Sequence, residues 1–282
     1  MANSPTLHRF VSSRRQALQQ AVDQVMQGDG NHRLVVTMGN EAADLDSMAT
    51  AITYSYWRHL AELSQSSTTV FIPLINIPRD EFRLRPECER VIEQTAQIPS
   101  NDLVFINDPP IEALFSWVRS RAEDDGSGDV ASLGLDIVLV DHAAPNREQK
   151  FLEPFVRGVL DHHKEEHKFS NANPRWVAPV GSATTLTTLE GYALLGGQGH
   201  SSSAQSTNSS STSEMPPAAS SSPLSSSFGD TGEEHDQGRF PEIVRSQPGL
   251  FHLILAPIIT DTSNFSPNAG KTKPEDKEAA AL

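Results

Sequence analysis

The sequence predicts an α/β fold: a mostly parallel β-sheet flanked by helices. Short apolar runs of strand length alternate with longer segments of helical pattern, the order expected of a parallel sheet. Acidic residues also follow several of these runs, and the carboxyl ends of parallel strands are where such sheets place their sites.

The elements follow in chain order. Residues 5–27 carry spaced apolar positions (Leu7, Phe10, Val11, Leu18, Val22, Val25, Met26), the pattern of an amphipathic helix. "RLVVTM" (33–38) reads as a buried strand, and "DSMATAITYSYWRHLAEL" (46–63) as a helix with small residues on one face. "TVFIPLIN" (69–76) is a second strand, followed by a helix over 86–96. "DLVFIN" (102–107) is a third strand, followed by a helix over 111–122. "DIVLVD" (136–141) and "VRGVLD" (156–161) are the fourth and fifth strands. Helices are expected over 181–195 and 248–261. "PEDKEAAAL" reads as the opening of a last helix with Pro274 in its first turn.

Between Gly196 and Gly238 the composition turns Ser-rich, with almost no apolar content. Such a stretch cannot bury enough surface to offset its ordering entropy, so it reads as a disordered insertion. The expected organisation is a first part over 1–195, the insertion over 196–239, and a final helix with an acidic motif over 240–265. Residues 266–282 are expected to begin a linker to a further domain.

Composition narrows the functions. Lys and Arg total 22 against 36 Asp and Glu, a formal net charge of −14, which argues against a broad basic surface for nucleic acid. An anionic substrate stays open, because bound divalent cations reverse the local sign. The single cysteine, Cys88, gives no disulfide framework and suggests a reducing, cytoplasmic setting. "MANSPTLHRF" lacks the apolar core of a signal peptide, and no run is long enough to span a membrane.

The chemistry concentrates at four segment ends. "MGNEAADLDSMA" supplies Asn40, Asp44 and Asp46; two aspartates two apart on a loop can point at one centre, and helix capping by Asp46 or Ser47 is the alternative. "IVLVDHAAPN" puts Asp141 where a buried strand emerges, with a turn role as the alternative. "GVLDHHKEEH" ends the fifth strand in Asp161, His162 and His163; adjacent histidines diverge, so one can bind metal while the other faces substrate. "ILAPIITDTSNF" ends a long apolar helix in Asp261, where the helix macrodipole disfavours an acid and calls for a compensating cation. Carboxylates with imidazole suit Mn²⁺ or Mg²⁺, and a bridging carboxylate can hold two ions that clamp a phosphoryl group.

The ordered segments "GNEAADLDS", "LVDHAAP", "VLDHHKEEH", "GSATTL" and "ITDTSNF" resemble the DHH phosphoesterase superfamily over about residues 34–264, apart from the insertion. Within it, "GNEAADLDSMATAITYSY" and "IPLINIPRDEFRLR" are similar to fungal cytosolic exopolyphosphatase, with manganese-dependent inorganic pyrophosphatases and the prune proteins as near relatives. The resemblance implies two divalent ions, Mn²⁺ or Mg²⁺. Asp44 would hold one and Asp46 the other, Asp141 would bridge, and His162 and Asp261 would complete the second. His163 would approach a phosphate oxygen or the leaving group. Asn40 stands where the pyrophosphatases carry His, so the first ion should be held more loosely and pyrophosphatase activity should be poor. The implied reaction is attack by hydroxide held at the two ions on the terminal phosphorus of inorganic polyphosphate. Other substrates of the superfamily, pyrophosphate, nucleotides and short oligonucleotides, and a non-catalytic metal- or partner-binding role are the alternatives.

Arg79 and Arg85 match the exopolyphosphatase segment as substrate contacts, with ordinary surface charge as the alternative. Lys164 faces phosphate or solvent, and Ser182 marks a helix N-terminus suited to an anion or to a plain cap. The resemblance also implies a second, DHH-associated domain after the Asp261 motif, closing basic residues over the substrate. The sequence ends about twenty residues past Asp261, so that domain is expected to be essentially absent from this chain, as in a fragment or a shortened gene model.

Overall fold

The computed structural model describes residues 5–28, 31–63, 67–124, 133–196 and 239–282. The expected Ser-rich insertion lies, over 197–238, outside the described residues. The strands are β1 (Arg33–Met38), β2 (Thr69–Ile75), β3 (Val104–Phe105), β4 (Leu135–Val140), β5 (Val156–Asp161) and β6 (Arg175–Val177). They form one sheet of order β3-β2-β1-β4-β5-β6, with every pairing parallel. The helices are α1 (Leu7–Met26), α2 (Leu45–Glu62), α3 (Pro86–Glu89), α4 (Pro109–Asp124), α5 (Ala183–Leu194), α6 (Arg239–Arg245), α7 (Pro248–Asp261) and α8 (Pro274–Ala281).

Both faces of the sheet are covered, which is why β1 is buried from its second residue onward and β4 throughout, without alternation between core and solvent. Leu34, Val36, Ile137, Leu139 and Val159 face a core shared with α1 and α4 through Leu18, Val22, Ile111, Leu114 and Val118. Val35, Val138, Val140 and Leu160 face the other core, shared with Ile52 and Trp57 of α2, Leu189 of α5 and Leu253 of α7. The strand order runs outward in both directions from the β1–β4 pair. That pair is the topological switch point, where connections diverge and leave a crevice at the strands' carboxyl ends. Met38 pairs with Leu139, and Val140 with Leu160, so β1, β4 and β5 finish almost level.

The edges differ from the sequence expectation. The third strand shortens to two residues because Ser100–Asp102 closes a 3₁₀ turn just before it. The helix expected over 86–96 starts as α3 and widens into a π-helical turn over Arg90–Thr95. The edge strand β6, helix α6 and the 3₁₀ segments Arg79–Leu84 and Arg147–Phe155 are too short or irregular for a hydrophobic period to reveal. Residues 266–282, expected to open a linker, pack α8 against α5 and α7. Among the described residues, no single helix is long and apolar enough to cross a membrane.

The α2–α5 contact tolerates no added atom at Gly191. A Cβ built there falls 2.5 Å from Cδ1 of Trp57, whose side chain is fully buried. Gly191→Leu is expected to destabilise the fold by about 1–3 kcal/mol through overpacking, read as a lowered urea midpoint. An unchanged midpoint would show that α5 is free to shift away from α2.

Candidate metal centre

The loop after β1 is shaped by close approach and side-chain capping. A Cβ on Gly39 would lie 3.0 Å from both Cβ and the carbonyl oxygen of Ser47, so the loop passes α2 where only glycine fits without a shift. Asn40 Oδ1 accepts from the N–H groups of Ala42 (2.9 Å) and Ala43 (3.1 Å), folding the loop back on itself. Asp44 caps α2 by accepting from Ser47 N–H at 2.9 Å, and its side chain stands exposed. Asp46, one residue into α2, is buried against the start of α5. Its Oδ1 accepts from Ser182 Oγ (2.7 Å), Thr184 Oγ1 (2.7 Å), Thr184 N–H (2.9 Å) and Thr50 Oγ1 (3.2 Å), whereas Oδ2 accepts only from Ala183 N–H (2.7 Å). The N-terminus of α5 thus fixes one carboxylate oxygen and leaves the other less occupied.

Asp141 directly follows β4 and adopts φ +62°, an uncommon conformation for a residue with a side chain. Its N–H still extends the ladder to Leu160 O at 2.9 Å, so the strand is held while the backbone turns. Oδ2 accepts from Ser47 Oγ at 2.7 Å and Asn40 Nδ2 at 2.8 Å. Oδ1 is buried and makes no hydrogen bond. Buried carboxylate oxygens are rarely left in that state, and here the neighbouring His162 ring nitrogen makes a proton or a cation the fitting partner.

The end of β5 supplies the imidazoles. His162 Nδ1–H donates to Val180 O at 3.2 Å, so Nε2 is the ring nitrogen turned inward. Nε2 stands 3.1 Å from Asp141 Oδ1 and 3.7 Å from Asp46 Oδ2. A neutral ring would aim a lone pair at two carboxylates, so this geometry demands a proton or a metal ion between them. His163 is turned the other way: Asp161 Oδ1 accepts from its Nδ1 at 2.7 Å and from its N–H at 3.2 Å, and the ring is mostly exposed. Asp141, His162 and His163 each offer a ligand atom within 4.8 Å of the others. Asp44, Asp46 and Asp261, the last at the end of α7, line the same cleft of about 410 Å³.

The electrostatics reflect this crowding. Burial, then the charge of Asp46, pushes the Asp141 carboxyl above its ordinary range, against the pull of His162 and Ser47. Burial and the charges of Asp46 and Asp44 do the same to Asp261. Burial alone would lower the His162 pKa, but Asp141 and Asp46 outweigh it and raise it to about 9. Burial also opposes ionisation of Asp161, yet hydrogen bonds from His163 hold it below the usual carboxylate range. Hard oxygens, one inward imidazole and uncompensated negative charge fit a Mn²⁺ or Mg²⁺ ion better than a soft metal.

The structure sets the remaining candidates elsewhere. Asn40 turns its oxygen to the loop backbone and its amide N–H to Asp141, so it braces a carboxylate instead of offering a ligand atom to the cleft. Arg79 is absent from the cleft. Its fork is taken up by Asp108 (2.8–3.0 Å), by Ser100 O and by Leu103 O, and it stacks over Phe105. Arg85 donates to Ala42 O through Nε (2.9 Å) and Nη2 (2.7 Å), tying down the Asp44 loop. Lys164 is exposed beyond His163 and does not line the cleft. Ser182 caps α5 and donates to Asp46, leaving no free hydroxyl proton for an anion. Sequence reasoning passed over Asp161 as the acid that orients His163 and Ser47 as a brace for Asp141, although both stand inside the quoted motifs.

No family model matches the chain. It is similar to "Putative exopolyphosphatase" of Schizosaccharomyces pombe, 38% identical over 151 residues, which is 52% of this chain and 33% of that protein. It is also similar to "Exopolyphosphatase PRUNE1" of Homo sapiens, 33% identical over 155 residues, or 55% of this chain and 30% of that one. The mouse protein of the same name gives 33% over 155 residues. The aligned region is thus about a third of the length of these relatives.

A pH dependence follows from the raised values of Asp141, Asp261 and His162. A metal ion requires ionised carboxylates and a neutral imidazole, so protons held above the ordinary ranges compete with it and leave as pH rises. Mn²⁺ affinity is expected to climb from pH 6 to pH 8 by about tenfold per unit for each proton displaced. Calorimetry in buffers of different ionisation enthalpy should detect proton release. An affinity independent of pH over that window would contradict the arrangement.

Proposed function

We propose that the chain carries the metal-binding part of a DHH-type phosphoesterase that releases orthophosphate from the end of inorganic polyphosphate, with Mn²⁺ or Mg²⁺ as cofactor. The observation that carries the reading is the inward His162 Nε2, set between Asp141 Oδ1 and Asp46 Oδ2 with no protein donor to separate them. The names of the relatives supply the substrate class. The single buried Cys88 agrees with a reducing, cytoplasmic setting.

In this reading Asp141 and His162 would hold metal together with Oδ2 of Asp46, its less occupied oxygen, and Asp44 and Asp261 would complete the set from the cleft wall. Two divalent ions bound there supply an activated water and charge compensation for a phosphoryl group in flight. The chain's own groups do the rest. Asn40 and Ser47 fix the direction of Asp141 by holding Oδ2. Asp161 accepts from His163 Nδ1 and raises the pKa of the ring, so the protonated imidazole would keep Nε2–H to donate to a phosphate oxygen or the leaving group. The α5 N-terminus orients Asp46 with backbone N–H groups that need no rearrangement during turnover.

The reading is tested by incubating the protein with Mn²⁺ and either polyphosphate, pyrophosphate or a short oligonucleotide, and measuring orthophosphate or nucleotide release. Release is expected from polyphosphate above the others, abolished by a chelator and lowered about a hundredfold or more by Asp141→Ala. Release unaffected by the chelator or by that substitution would refute the metal-centred reading.

A further inference from the structure

The closing stretch of the chain brings two lysines to the cleft. Gly270 turns the backbone at φ +64°, in the left-handed region, after the 3₁₀ turn Pro267–Ala269, and α8 begins at Pro274. Between them lie Lys271 and Lys273, which line the same cleft as the carboxylates and histidines of the metal centre. Lys271 is exposed and Lys273 is half-buried. Among the described residues neither ammonium forms an ion pair, although four aspartates share their cleft.

Their position is built into the fold. Asp276, fully buried in the first turn of α8, accepts from Gly181 N–H with both oxygens at 3.0 Å and from Thr185 Oγ1 at 2.6 Å. It also accepts from Lys273 N–H at 2.7 Å. Gly181 and Thr185 flank the same helix start that holds Asp46. One helix N-terminus therefore grips a metal-side carboxylate from α2 and the anchor of the lysine segment from α8. A Cβ on Gly181 would lie 2.8 Å from Asp276 Oδ2 and 2.5 Å from Thr262 Cγ2, so glycine is what permits the joint. The chain as a whole is acidic at −14, which makes two unpaired cations beside a carboxylate cluster a local feature with a local use.

We propose that Lys271 and Lys273 bind the non-bridging oxygens of the phosphate units beyond the one cleaved, making this segment the determinant that selects condensed phosphates over single phosphate groups. The inference rests on the metal-centre reading above: with the aspartates neutralised by divalent ions, the lysines leave the cleft net positive toward an anion. Lysine suits this task as a flexible point charge that adjusts to successive phosphates.

The test uses the chain at fixed free Mn²⁺, with methylenediphosphonate as a non-hydrolysable probe and Mn²⁺ binding followed separately by electron paramagnetic resonance. Lys271→Gln or Lys273→Gln is expected to weaken probe binding about tenfold, and the pair together by more, with Mn²⁺ binding unchanged. The double Arg variant should restore binding, and Lys277→Gln, on the exposed side of α8, should leave it unaltered. Wild-type probe affinity in the double Gln variant overturns the inference and leaves the metal centre standing. Loss of Mn²⁺ binding in that variant also overturns it, by showing that the segment serves the fold. Failure of the wild-type chain to bind Mn²⁺ overturns the underlying reading as well.

Discussion

The centre depends on one contact, the donation of His162 Nδ1–H to the carbonyl of Val180. It commits the other ring nitrogen to the inside, facing carboxylates from β4 and α2 at 3.1 and 3.7 Å. An unprotonated triangle would set a lone pair against two carboxylates. Either a proton shared between the imidazole and an acid fills it, or a cation takes the proton's place. The surrounding groups reinforce the demand, since Asn40, Ser47 and the start of α5 hold the remaining oxygens and prevent the aspartates from turning away.

The sheet explains how residues separated by more than a hundred positions meet. The switch between β1 and β4 opens the crevice, and level strand ends deliver Asp141 and the His162–His163 pair to one height. The positive φ of Asp141 is local strain at the point where function would require it, sustained by the ladder bond to Leu160. Helix α5 is the hub of the other side. Its first turn receives Asp46 from α2 and abuts Asp276 from α8, and its body packs Gly191 against Trp57.

Much of this was legible in the sequence because apolar runs bounded by acids encode both a parallel sheet and the ends where ligands gather. Strands β1, β2, β4 and β5 and helices α1, α2, α4, α5 and α7 have enough length for their periods to show. Short elements such as β6 and α6 do not. The residues gathered at the cleft, Asp44, Asp46, Asp141, His162, His163 and Asp261, were all candidates on sequence alone. The placement of Arg79 was not legible, because a charge pattern does not reveal that a buried acid, Asp108, lies 29 positions away and pairs with it. Lys271 and Lys273 were invisible for the opposite reason. Their place follows from the buried Asp276, whose partners at Gly181 and Thr185 are distant in the chain and carry no sequence period.

The most direct measurement is anomalous diffraction from crystals grown with Mn²⁺ near neutral pH. The account predicts a manganese peak at coordination distance, about 2.1–2.2 Å, from His162 Nε2 and Asp141 Oδ1 together. Crystals with saturating Mn²⁺ in which His162 Nε2 is hydrogen-bonded to Asp141 and no peak lies between them would contradict it.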